Sequence, residues 1–467
     1  MEKYKYLLKN VGILTISNIA TRFISFFLLP IYTGILTTEE YGIYDLYSTT
    51  ISLLIPLMTL CISDAVIRNL LDKNSNEKEI VAVGYKYSLI SIVLLLVFYI
   101  VNMVTNILPI LNQYKLFFIL MYIITVFNQL LAGVARGREQ MLTISIASLF
   151  SSVITILLNI VFLVYFKWRL VGYFGAYIIG ISISNIYYFT KLKFWNYIFI
   201  GKINKELDKK MRKYGSGLLV NSVSWWINLS LDKYVVLYFC GVSANGILSA
   251  ANKLPTILKT VQNIFENAWI LSAVKNYNKE DKDNFFINTY NIYNFFMILI
   301  TIGIIFFTKV LSSFLFKGEF YNAWRMVPFY TIAVMFSAAA GVVGGIFAAE
   351  KRVALISNTT LLGAIINAIF NVILIMKFGA IGAALATMIS NCGIWMVRII
   401  YVKRIMNFRI NILRDAIVYC VILLQAAVLI TIKENLLSYC LQLIFVGIIM
   451  GLYSKELRVI FRKIREK

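Results

Sequence analysis

Residues Ile80–Thr105 read IVAVGYKYSLISIVLLLVFYIVNMVT, a run with one charged side chain, Lys86. As a helix rising about 1.5 Å per residue, this run exceeds the roughly 30 Å of a bilayer's hydrocarbon core. Comparable runs recur along the chain, at 11–36, 41–63, 115–135, 142–166, 171–190, 215–240, 244–273, 285–308, 325–348, 354–376, 379–402, 412–431 and 436–453. They do not alternate with period two, which disfavours a β-barrel. The chain is 60% hydrophobic and 14% charged, against about 25% charged in soluble domains. The expected fold is all-α and integral to the membrane, with about 14 transmembrane helices.

Charge sets the expected orientation. The net charge is +23, and most of it lies between the apolar runs. With a cytoplasmic N-terminus, about 32 Lys and Arg fall in cytoplasmic loops and tails, including Lys191–Lys213, Arg398–Arg414 and Lys455–Lys467, and about 8 fall outside. Both termini are therefore expected in the cytoplasm, with an even number of spans. Lys167-Trp168-Arg169 is the clearest local exception. No zinc finger, phosphate loop or aromatic RNA-binding signature accompanies the charge, so nucleic acid is not an expected partner.

The chain contains no histidine. Histidine metal sites, Ser-His or Cys-His nucleophile pairs and histidine proton relays are thereby excluded. Cys61, Cys240, Cys392, Cys420 and Cys440 are scattered in apolar runs without metal-ligand spacing, so no metal and no cofactor are expected. The first run is too long for a signal-peptide core and contains Arg22, so a cleaved leader is not expected.

The chain repeats itself. Gly133-Val-Ala-Arg-Gly-Arg-Glu lies 212 positions before Gly345-Ile-Phe-Ala-Ala-Glu-Lys, and Asn159 falls on Asn371 at the same offset. Gly172-Tyr-Phe-Gly175-Ala176 matches Gly379-Ala-Ile-Gly382-Ala383 at offset 207, and Tyr41-Gly42-Ile43 lines up with Asn245-Gly246-Ile247 at offset 204. The ordered matches imply two six-helix lobes of the same orientation plus two C-terminal helices. The expected division is 1–190 for the first lobe, 191–214 for a basic cytoplasmic linker, 215–405 for the second lobe and 406–467 for two added helices and a basic tail. In the linker, Ile203, Leu207 and Met211 recur every four residues among lysines. This fits either a short helix lying on the cytoplasmic leaflet or a solvated basic connector.

Charges inside the spans point to function, because each costs about 2.5–3.5 kcal/mol at the bilayer centre unless it meets a partner or a wet cavity. Arg22 lies one turn after Asn18 in the first run, ahead of Pro30, which should bend the helix. Asp232 and Lys233 are adjacent in the seventh run. In the eighth, Asn252, Lys259, Asn263 and Glu266 share one face, with Lys253 a position off and Pro255 placed to kink it. Such a stripe is either glue between helices or a cavity wall, and two lysines exceed what glue requires. Arg22, Lys233, Lys253 and Lys259, with Asn18, Asn252 and Asn263, make an expected cationic substrate site for a phosphate or diphosphate. Asp45, Asp64, Asp232 and Glu266 are the coupling or gating candidates; Asp64 reads more readily as an interfacial residue than as a site. Asn159 and Asn371 read as packing hydrogen bonds at least as readily as ligand contacts. Gly341, Gly344 and Gly345 suit close helix approach.

Asn18, Arg22, Pro30, the Tyr41-Gly42-Ile-Tyr44 opening of the second run and the repeated Gly-x-x-Gly-Ala at Gly172 and Gly379 resemble Wzx-type polysaccharide flippases. These belong to the multidrug/oligosaccharidyl-lipid/polysaccharide exporter superfamily. The resemblance implies a non-enzymatic transporter in a bacterial plasma (inner) membrane. Its expected substrate is an undecaprenyl-diphosphate oligosaccharide repeat unit for capsule, O-antigen or exopolysaccharide, carried outward by alternating access. H+ or Na+ coupling, contact with membrane lipids and cooperation with polysaccharide polymerase and export machinery are implied in the same way. A peptidoglycan lipid-precursor flippase and a multidrug cation antiporter of the same superfamily are the rival expectations. An integral-membrane polymerase or glycosyltransferase fits less well, because the external loops are short.

Overall fold

In a computed structural model, residues 26–72, 76–197, 204–275, 277, 284–432 and 436–454 are described. Every regular element among them is helical. They group into two compact units, Met1–Leu231 and Asp232–Lys467.

The first unit opens with α1 (Leu29–Ile35), which carries Pro30 in its first turn. Pro30 thus begins a helix rather than bending one, since its missing N–H is unneeded there. Thr37 then caps α2 (Thr38–Thr59): its hydroxyl accepts from the Glu40 amide at 3.2 Å, and the Glu40 carboxylate accepts from the Thr37 amide at 2.9 Å. Leu60 and Cys61 both adopt left-handed backbone angles, and α3 (Ile62–Leu70) leaves at 61° to α2. Two such residues without glycine are unusual and make this a built break in the helix.

After Asn76, whose side chain caps it, α4 (Glu77–Thr105) runs to the short α5 (Ile110–Gln113). There follow α6 (Lys115–Gly137), α7 (Met141–Asn159) with a π-helical extension over Ile160–Tyr165, and α8 (Arg169–Lys191) with a 3-10 turn at Phe194–Tyr197. Ile62, Val66, Val81, Leu130, Val134 and Phe194 form the core of this unit.

The long α9 (Lys205–Ala251) carries Met211 fully buried in that same core, with Leu207 packed beside it. Asp208 accepts from Lys86 Nζ at 3.0 Å and from the Tyr87 hydroxyl at 3.4 Å. The expected helix on the leaflet surface is thus corrected. Leu207 and Met211 face protein, because one carboxylate between them finds a cation and a phenol on α4; Ile203 lies outside the described residues. The helix breaks at Gly241, whose φ of 83° and ψ of 177° suit only glycine.

In the second unit come α10 (Lys253–Lys275), α11 (Phe285–Leu315), a 3-10 segment at Gly318–Arg325, and α12 (Val327–Ala349). They are followed by α13 (Val353–Phe378), α14 (Ala380–Ile405), α15 (Ile412–Thr431) and α16 (Leu436–Leu452). Pro255 lies in the first turn of α10, so here too the chain breaks just before a proline rather than at it. The core collects Trp269, Phe295, Phe347, Trp395 and Tyr419 around α12. Between α13 and α14, Gly379 takes φ 58° and ψ −145°. A Cβ on Gly382 would lie 2.2 Å from the Leu374 carbonyl oxygen, so the Gly-x-x-Gly-Ala motif folds one helix back against the preceding one.

Among the described residues, 10 helices are long and apolar enough to cross a bilayer, or 11 if the bent pair α2–α3 is one span. The chain is a multi-pass membrane protein. Most of the first expected span lies outside the described residues, α10 is too polar to count by composition, and α16 has 17 residues.

Candidate functional site

Asn18 and Arg22 lie outside the described residues. Of the expected site residues in the second unit, Asp232 and Glu266 meet one helix, α12. Tyr330, Ser337, Gly341 and Gly344 stand at i, i+7, i+11 and i+14, which is one face. Each of the four meets a charged or amide group from a neighbour.

At the N-terminal end of that face, the Tyr330 hydroxyl donates to Asp232 Oδ2 at 3.3 Å, and Asp232 Oδ1 accepts from the Lys233 amide at 2.9 Å. Two turns on, Gln262 Nε2 donates to Ser337 Oγ at 3.0 Å and to Glu266 Oε1 at 2.8 Å. Glu266 reaches so close to α12 that a Cβ on Gly341 would lie 1.9 Å from Oε1. A turn further, Arg398 Nη1 lies 3.0 Å from the position of a Cβ on Gly344. The glycines therefore create the volume in which a carboxylate from α10 and a guanidinium from α14 enter the helix interface. Trp269 seals the same surface, its indole N–H donating to the Val342 carbonyl at 2.8 Å.

Arg398 is the buried interior charge that the sequence places among loop cations. It had been counted among the cytoplasmic loop cations, yet it is 8% exposed inside α14. Nε donates to Thr359 Oγ1 at 3.0 Å, Nη1 to the Ala340 carbonyl at 2.9 Å and Nη2 to Thr360 Oγ1 at 3.1 Å. These direct acceptors are neutral oxygens, and the Glu266 carboxylate adds an electrostatic attraction. The available signal was position: Arg398 falls inside the apolar run 379–402, not beyond it.

The expected stripe on α10 divides. Glu266 is partly buried against α12, Lys253 and Lys259 are exposed, and Asn263 is intermediate. Asn252 lies at the junction of α9 and α10, its side chain donating to the Leu248 carbonyl at 3.4 Å. Asp232 and Glu266 are not side by side. Their contact points on α12, Tyr330 and Gly341, are about 17 Å apart along the helix axis.

In the first unit, Asp45 is partly buried on α2 beside a cluster of tyrosines, in which Tyr44 and Tyr173 have ring centroids 4.2 Å apart and Tyr32 and Tyr173 4.9 Å. Asp64 is exposed on α3, just past the break. The repeated asparagines are both buried and both bonded: Asn159 Nδ2 donates to the Tyr32 hydroxyl at 3.3 Å, and Asn371 Nδ2 to Asn367 Oδ1 at 2.7 Å. Among the described residues no group of three acidic or cysteine side chains could hold a metal ion.

The all-helical fold has counterparts among solved structures. The fold matches that of the lipid II flippase MurJ in an inward closed conformation, with a TM-score of 0.69 and 16% identity over 96% of this chain and 98% of that one. An inward-facing multidrug resistance MATE family transporter of the MOP superfamily gives a TM-score of 0.58 at 14% identity, over 84% and 94%. A MOP superfamily transporter from Pyrococcus furiosus, described as having a binding pocket of reversed polarity, gives 0.53 at 15%, over 85% and 95%. The chain thus has the MurJ/MATE-like fold. Over 260 residues it is also 22% identical to an uncharacterized membrane protein of Methanocaldococcus jannaschii, spanning 54% of this chain and about half (50%) of that relative's length. The profile of the family described as "Polysaccharide biosynthesis protein" matches residues 7–270. The chain belongs to that family.

Proposed function

We propose that this protein is a flippase that carries undecaprenyl-diphosphate-linked oligosaccharide repeat units to the outer face of a bacterial plasma membrane by alternating access. The observation that carries the reading is the polysaccharide biosynthesis match over residues 7–270, on a fold shared with a lipid II flippase over 96% of the chain. A diphosphate is a dianionic or more highly charged group, and the span cations Lys233, Lys253, Lys259 and Arg398, with Arg22, supply the complementary charge in this reading. Asn18, Asn252 and Asn263 offer hydrogen bonds to sugar hydroxyls. Asp45, Asp64, Asp232 and Glu266 are the groups through which H+ or Na+ would couple. The lobes 1–190 and 215–405, the linker 191–214, the added segment 406–467 and cytoplasmic termini belong to the same proposal, as does hand-over to polymerase and export machinery.

The likeness to MurJ favours a second substrate, the peptidoglycan precursor. Both readings are tested in liposomes of the purified protein carrying a fluorescent undecaprenyl-diphosphate oligosaccharide or lipid II. The rate at which label becomes accessible to an impermeant quencher is compared with empty vesicles and with Lys259→Glu. Fast access of the oligosaccharide lipid that is lost in Lys259→Glu supports the reading. Access of lipid II alone transfers it to the second substrate, and access of neither, with or without ion gradients, removes both.

A further inference from the structure

The first unit holds a cavity of about 360 Å3 that none of the proposed transport residues line. Its volume is within the range of roughly 300–1,000 Å3 typical of small-molecule sites. Tyr85 of α4, Ile123 and Phe127 of α6, Ile186 and Phe189 of α8, and Phe194 of the 3-10 turn form its wall. The one amide in the wall is already engaged: Asn185 Nδ2 donates to the Ile124 carbonyl at 2.9 Å, and its Oδ1 accepts from Asn128 at 2.8 Å. The interior is therefore apolar, and Ile186 on its rim is exposed. In a membrane-spanning unit such a rim meets lipid, so the occupant is a hydrocarbon chain.

The charge beside the cavity narrows the choice of chain. Phe189 and Phe194 bracket Lys191 and Lys193, both exposed. Lys193 adopts a left-handed φ of 50°, which turns the chain so that Phe194 folds back into the core. Arg138 fixes this turn by donating to the Leu192 carbonyl at 3.1 Å and by pairing with Glu77 and the Tyr197 hydroxyl. Trp195, 47% exposed, is an aromatic of the kind found at the headgroup level. The Lys/Arg bias assigns this end of the unit to the cytoplasmic leaflet, where anionic lipids concentrate.

We propose that the cavity takes one acyl chain of an anionic glycerophospholipid whose phosphate is held by Lys191 and Lys193. The site is separate from the transport reading and stands whatever the protein carries. The apolar wall supplies retention and the two lysines supply headgroup preference.

The test is native mass spectrometry of the full chain equilibrated with equimolar phosphatidylglycerol and phosphatidylcholine in detergent. The expected result is preferential retention of phosphatidylglycerol, on the order of tenfold, from two basic residues near the phosphate. Lys191→Gln with Lys193→Gln, both at exposed positions, should abolish the preference while leaving the protein's melting temperature unchanged. Ile123→Trp, which fills the cavity, should lower retention of both lipids. Equal retention of the two lipids by the wild-type chain overturns the proposal, and so does a preference that survives the double lysine change.

Discussion

At the repeat offset of 207, Lys191 of the first half falls on Arg398 of the second. The same register carries a cation twice, with opposite outcomes. Lys191 ends α8 and is exposed, whereas α14 continues to Ile405 and encloses Arg398. The neighbouring helix explains the difference. At offset 212, Ala338, Ala339, Gly341 and Gly344 of α12 fall on Val126, Phe127, Gln129 and Ala132 of α6. The small residues leave room for a guanidinium and a carboxylate to enter the interface. At the matching positions Gln129 is exposed and Phe127 lines the apolar cavity. The aligned positions thus differ by side-chain volume on one helix of each half.

The strongest way to break this comparison is to remove the buried cation. Arg398→Met leaves Thr359, Thr360 and the Ala340 carbonyl without their donor and should cost on the order of 3 kcal/mol, read as a fall in melting temperature in detergent. Arg398→Lys should fall between, because an ammonium cannot span the three acceptors of a planar fork. Lys191→Met at the matching position should leave melting unchanged; equal losses at the two sites would refute the asymmetry.

A smaller effect separates the two copies of Gly-x-x-Gly-Ala. Gly382→Ala drives a Cβ into the Leu374 carbonyl and should destabilise by about 1–3 kcal/mol. Gly175→Ala meets only the Phe162 ring at 3.5 Å and should be neutral or gain up to about 1 kcal/mol of helix propensity. Thermal unfolding of the pair decides whether the motif serves the same packing need in both halves.

Gly341→Ala sharpens the comparison through Glu266. The group in its way is the end of a flexible side chain, so stability should change by less than about 1 kcal/mol, while the carboxylate is pushed off α12. A flipping rate that drops in Gly341→Ala but does not drop further in Gly341→Ala with Glu266→Gln would tie the effect to that carboxylate. Tyr330→Phe is the mildest change: losing one hydrogen bond to Asp232 should cost about 1 kcal/mol, and a larger loss in melting would mean that Asp232 depends on this phenol alone.

Span length was legible in the sequence because the bilayer dictates it. The stripe on α10 was legible as a pattern, but its partner stripe on α12 was not: Tyr330, Ser337, Gly341 and Gly344 carry no charge, and their role lies in what they admit. Arg398 was misplaced because positive charge near a span end is ordinarily topological, and its burial depends on three other helices. Met211 looked like a lipid-facing residue because periodicity reports an apolar face and not what covers it. The break at Leu60 and Cys61 has no glycine to announce it.

The π-helical turn after Asn159 has a practical reading. Thirteen positions separate Asn159 from Gly172, and eight separate Asn371 from Gly379. The first segment is therefore longer by five residues, in the π turn and in a loop where the Phe162 and Phe166 rings each lie with centroids 5.0 Å from that of Trp168. That loop is the place to graft an epitope or a fluorophore that reports which side of the membrane it faces.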